Sequence, residues 1–142
     1  MPLTKSLRGL HVLIAEDHRD SREIMQLMLE SYGAVVTAVD GAGPALAVIE
    51  RERVDCLVSD ISMAERDGLW LIAQVRARDG ERPLPAVAVT ARVDRQHRLE
   101  ILAAGFHVHL PKPVEGEHLL DAIMHAIAHV RQGAKPRWHG GC

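Results

Sequence analysis

The chain has 142 residues, 47% hydrophobic and 25% charged, with a formal net charge of -2 and a pI near 6.5. That size suits one domain with a real core and excludes two ordinary ones, and the composition is that of a globular chain and not a disordered one. The balance of charge leaves no basic footprint for direct nucleic-acid binding. No apolar run is long enough to span a bilayer and the start lacks a signal-peptide pattern, so no membrane insertion and a cytoplasmic location are expected.

In chain order, residues 1–8 form a polar lead-in, and residues 10–15 are a first apolar strand running straight into Glu16-Asp17. A helix follows from Asp20, with Ile24, Leu27 and Met28 at helical spacing and Gly33 as its stop. Residues 34–39 read as a second strand, and a helix with Pro44 near its start extends to about Arg53. Cys56, Leu57 and Val58 form a run too short for a helix, as in a central strand covered on both faces, and it stops at Asp60. Beyond Gly68 a third helix carries Leu69, Leu71, Ile72 and Val75. Residues 86–89 make a fourth strand ending at Thr90-Ala91, and a weaker helix covers about residues 95–104. Residues 106–110 are a short fifth strand before Pro111-Lys112-Pro113, and a last helix spans about residues 115–130. Residues 131–142, rich in Gly and basic side chains, are expected to be disordered. Cys56 is expected to be a core residue, and neither it nor Cys142 suggests a disulfide or zinc site.

Five alternations of strand and helix predict an α/β protein, a parallel sheet with helices on both faces. The chemistry-bearing residues then collect at one edge: Glu16, Asp17, Asp60, Thr90 and Lys112 all follow the carboxyl ends of strands, where open α/β sheets keep their sites. Carboxylates within about 5 Å repel by about 3 kcal/mol per pair at an effective dielectric near 20, so such a cluster needs a cation. All-oxygen ligands point to Mg2+. A carboxylate beside Mg2+ is a nucleophile toward phosphorus, with Asp60 the candidate, Lys112 the fixed cation and the Thr90 hydroxyl a donor to a phosphoryl oxygen.

Glu16-Asp17, Ser59-Asp60-Ile61-Ser62-Met63, Val89-Thr90-Ala91 and Lys112-Pro113 together resemble the receiver domain of two-component response regulators, over about residues 9–130. The phrases Ala88-Val89-Thr90-Ala91 and Gly105-Phe106-His107-Val108-His109-Leu110 look most like receivers attached to hybrid sensor kinases. The resemblance implies a flavodoxin-like (βα)5 doubly wound parallel sheet of strand order 2-1-3-4-5, and phosphorylation of Asp60 by a histidine kinase or histidine phosphotransfer protein. It also implies Mg2+ held by Glu16, Asp17, Asp60 and the Ser62 carbonyl, and a cis Lys112-Pro113 bond. No output domain is read, so the expected output is docking, onward phosphotransfer or storage of phosphate, with homodimerisation left open.

Two positions depart from that pattern, Ala64 where Pro is usual and His109 where Tyr or Phe is usual, while Arg92 and Ser62 stand where members vary. His109 is expected either to couple the switch to pH or to serve as a spacer. On the first helix Met25 and Leu29 lie beyond the Ile24, Leu27, Met28 stripe, as partner-binding residues or as extra core. On the last helix His118, His125 and His129 fall within about 40° of one another, on a face expected to meet solvent and not a metal. Two other readings stay open, a Mg2+-dependent phosphohydrolase and a receiver that binds partners without being phosphorylated.

Overall fold

The computed structural model describes residues 5–133. Within them strand and helix alternate as β1 (His11–Ala15), α1 (Arg19–Ser31), β2 (Val35–Val39), α2 (Ala42–Arg51), β3 (Cys56–Asp60), α3 (Gly68–Arg78), β4 (Ala86–Thr90), α4 (Arg95–Ala104), β5 (Val108–Pro111) and α5 (Gly116–Arg131). The strands form one parallel sheet in the order β2-β1-β3-β4-β5, the flavodoxin-like arrangement. Most of the expected tail, residues 134–142, lies outside the described residues.

The period of two along each strand splits the core into two layers. Val12 and Ile14 of β1, Cys56 and Val58 of β3, and Val87 and Val89 of β4 face α1 and α5, meeting Leu29, Leu119, Ile123 and Ala126. Leu13, Leu57, Ala86 and Ala88 face the other way, against Leu71, Ile72, Ile101 and Phe106. Small alanines on β4 match the bulk of Phe106 and Leu71 opposite, as close packing requires. The central strands, buried on both faces, are therefore mainly apolar, and their acids fall at the carboxyl ends.

Two expectations about the periphery change. The lead-in is not merely polar: Leu7 is fully buried and its N–H donates to the Tyr32 carbonyl at 2.8 Å, while Lys5 pairs with Asp121 at 2.7 Å. The face of α1 is rotated from the one its spacing suggested. Met25 and Leu29 are 4% and 0% exposed, whereas Ile24 and Leu27 are 53% and 67% exposed. The core stripe is the i, i+4 pair Met25 and Leu29, closed at its end by the Ala34 N–H donating to the Leu29 carbonyl at 3.2 Å. Leu29 thus cannot meet a partner, and Met25 reaches the surface only as the floor of a cleft.

Candidate functional site

Strand register brings the candidate residues together. Ala15 pairs with Ser59, Asp60 with Val89, and Thr90 with Pro111, so β1, β3, β4 and β5 deliver Glu16, Asp60, Thr90 and Lys112 to one edge. Glu16 and Asp60 are buried and Asp17 is exposed, and one carboxylate oxygen from each lies within 4.8 Å of the other two. The Lys112 ammonium donates to Glu16 Oε1 at 2.6 Å and to Asp60 Oδ2 at 3.1 Å.

One lysine does not neutralise three carboxylates. Burial pushes the Glu16 carboxyl above its usual range; Asp60 beside it acts in the same direction, and the bonds from Lys112 and the His18 N–H oppose them. Burial alone would lower the Lys112 ammonium, but its bonds to Glu16 and Asp60 outweigh this and hold it above its ordinary value. A cluster of hard oxygen donors with surplus negative charge fits a divalent cation such as Mg2+. Glu16, Asp17 and Asp60 could hold one.

The loop after β3 is tied to this cluster by backbone groups, which leave no side-chain signature in the sequence. The Ala64 N–H donates to Asp17 Oδ2 at 2.9 Å, and the Gly68 N–H to the Ile61 carbonyl at 2.8 Å. A Cβ at Gly68 would lie 2.5 Å from the Asp60 carbonyl oxygen, so only glycine lets α3 start this close to the acidic edge. Asp67 caps that helix, accepting from the Trp70 N–H at 2.8 Å. His18 caps α1, its Nδ1 accepting from the Ser21 N–H at 3.4 Å while its own N–H donates to Glu16 Oε2 at 3.2 Å. Ser62, expected as a carbonyl ligand, is exposed. The Lys112-Pro113 bond is cis.

Thr90 is buried, and its Oγ1 accepts the Arg92 N–H at 3.1 Å and meets His97 Nε2 at 3.4 Å. His97 carries no signal in the sequence, where it is a lone histidine in a weakly amphipathic helix. His109 is half-buried on β5, and burial, then Arg98 and His97, hold its imidazole below the ordinary range. Of the last-helix histidines, His118 and His125 are exposed but His129 is half-buried, its ring edge-on to His107 at 5.7 Å and stacked on His125 at 6.3 Å. His107 Nδ1 accepts the Ala86 N–H at 3.1 Å, so the ring's other nitrogen carries the proton and cannot ligate a metal. Cys56 is buried, and burial raises its thiol, as befits an unreactive core residue.

Residues 12–124 match the response regulator receiver domain family. The chain belongs to that family. It is 39% identical over 119 residues to an uncharacterized 14.6 kDa protein of Leptolyngbya boryana, covering 84% of this chain and 91% of that one. It is 32% identical over 132 residues to the sensory/regulatory protein RpfC of Xanthomonas campestris, covering 92% of this chain but 18% of RpfC. Among solved structures, the receiver domain of a sensor histidine kinase from Pseudomonas aeruginosa PAO1 has a TM-score of 0.77 at 30% identity, covering 84% of this chain and 98% of that one. That structure has a magnesium ion coordinated in its active site cleft. Among the described residues, no helix is long and apolar enough to cross a membrane.

Proposed function

We propose that this receiver is a phosphoacceptor: Asp60 takes a phosphoryl group from the phosphohistidine of a histidine kinase or histidine phosphotransfer protein. The observation that carries the reading is the Lys112 ammonium bonded to both Glu16 and Asp60 within a cluster of three carboxylates. Lys112 occupies one Asp60 oxygen and leaves the other to attack phosphorus. As the new O–P bond forms, the P–N bond to the partner imidazole breaks, and its electron pair stays on nitrogen. Lys112 and the Thr90 hydroxyl are the donors to the transferred phosphoryl oxygens. Mg2+, held by Glu16, Asp17, Asp60 and the Ser62 carbonyl, would supply charge neutralisation for that transfer.

The partner surface follows from the corrected face of α1. Exposed Ile24, with Met28, Pro113 and Val114, borders an apolar cleft of about 320 Å3 that reaches Lys112, and exposed Leu27 extends the same helix surface. A histidine-bearing helix laid on Ile24 and Leu27 would present its phosphohistidine toward Asp60. Sensor kinases among the relatives support such a partner. The test is incubation with phosphoramidate, a small P–N donor, followed by intact-mass spectrometry. One phosphoryl group gained with Mg2+, and none when a chelator is present from the start, supports the reading; no gain in either condition overturns it.

A further inference from the structure

Behind Thr90 lies a buried imidazole that the phosphoryl chemistry does not use. His97, in the first turn of α4, is 5% exposed, with Nε2 at 3.4 Å from Thr90 Oγ1 and Nδ1 buried without a hydrogen-bond partner. The Arg92 N–H donates to the same hydroxyl oxygen at 3.1 Å. The Thr90 hydroxyl and His97 Nε2 share one hydrogen bond, whichever of the two carries the proton. Engaged by Arg92 and His97 together, the hydroxyl is held on the α4 side.

We infer that His97 is a positioning residue that holds the Thr90 hydroxyl in its resting orientation and leaves its pocket when that hydroxyl turns to a phosphoryl group on Asp60. The inference rests on the phosphoacceptor reading of Asp60. Turning Thr90 breaks two hydrogen bonds with unequal consequences. Arg92 is exposed, so its N–H meets water. His97 is left with both nitrogens unpaired in a buried site, the costlier outcome. An open surface cleft adjoins it, lined by Ser62, Asp67, Arg92, Glu100 and His97 itself. There the displaced imidazole finds water and two carboxylates. Because the His97 N–H is held by the Asp94 cap at 2.9 Å, its departure disturbs the start of α4. Modification of Asp60 is thereby read on α4.

The test uses the full chain, beryllofluoride with Mg2+ as the phosphoryl mimic, and nitrogen NMR of the imidazoles. Free protein should show His97 locked in a single tautomer, and beryllofluoride should move both nitrogen signals toward the averaged values of a solvated ring. His97→Leu, which fills the pocket but makes no hydrogen bond, should bind beryllofluoride on the order of tenfold tighter, and His97→Gln, which keeps a hydrogen-bonding amide near the Nε2 position, should return to wild-type affinity. Beryllofluoride uptake with His97 signals unmoved, or equal affinities for the Leu and Gln variants, would overturn the inference. Should His97→Leu not fold, the wild-type spectra alone decide. Absence of any beryllofluoride response in the wild type would instead defeat the phosphoacceptor reading, and the role of His97 with it.

Discussion

Lys112 reaches from the end of β5 to place its ammonium 2.6 Å from Glu16 Oε1, a carboxylate with no solvent exposure. Glu16 still sits above the usual carboxylate range, because burial and Asp60 outweigh that one cation. Protons and the cation compete for Glu16, so Mg2+ affinity should fall as pH falls through the raised Glu16 value. At neutral pH, Mg2+ at about a hundred times its Kd should add roughly 2.7 kcal/mol to stability. Thermal melts with and without Mg2+ check this: the increment should shrink from pH 7.5 to pH 5 and vanish in Glu16→Gln.

The His107 imidazole is shifted the other way, downward. Burial, then Arg76 and His129, hold it down to about 4, against an ordinary 6.5. A depressed folded value means its stabilising contribution is complete above about 6.5 and is lost as pH falls from there toward 4. Partial exposure screens the charge, so the loss should be only about 1 to 2 kcal/mol. His107→Asn keeps an acceptor for the Ala86 N–H and removes the titration. Denaturant unfolding should show the variant losing less stability than the wild type between pH 7 and pH 4.5.

Two glycines should respond oppositely to alanine. At Gly68 a Cβ meets the Asp60 carbonyl at 2.5 Å and Ile61 Cα at 2.9 Å. Gly68→Ala should cost about 1 to 3 kcal/mol by overpacking and, by shifting Asp60, slow its phosphorylation. Gly43, inside α2, has nothing within 4 Å of the same atom, and Gly43→Ala should stabilise by about 0.5 to 1 kcal/mol. Urea unfolding of both variants provides the comparison.

On α1, Leu29→Ala should cost about 2 to 5 kcal/mol, as a fully buried leucine does. The double variant Ile24→Asp, Leu27→Asp should leave the fold intact, because both side chains are exposed. It should slow phosphotransfer from a histidine kinase at least tenfold while leaving small-donor phosphorylation unchanged. Equal slowing with both donors would place the defect in the site and not at the partner surface.

The acidic edge was legible because β1, β3 and β4 are apolar runs whose ends are marked by Glu16, Asp60 and Thr90, and the parallel sheet allows those ends only one edge. The α1 face was not. Ile24, Met25, Leu27, Met28 and Leu29 are five apolar residues in six positions, so spacing alone admits two faces, and contact with Ala34 and the sheet selects the one containing Met25 and Leu29. His129 was expected to face solvent because helical angles ignore what lies beneath; His107, entering from before β5, is what half-buries it. The Ala64 N–H on Asp17 and His97 behind Thr90 depend on loop geometry that no residue pattern announces.

Intact-mass spectrometry after acetyl phosphate and Mg2+ tests Asp60 as the phosphoryl acceptor without a partner protein. Wild-type protein should gain a single phosphoryl group, and Asp60→Asn, which replaces the nucleophilic carboxylate by an amide of nearly the same shape, should gain none. Equal modification of the two proteins would contradict the account.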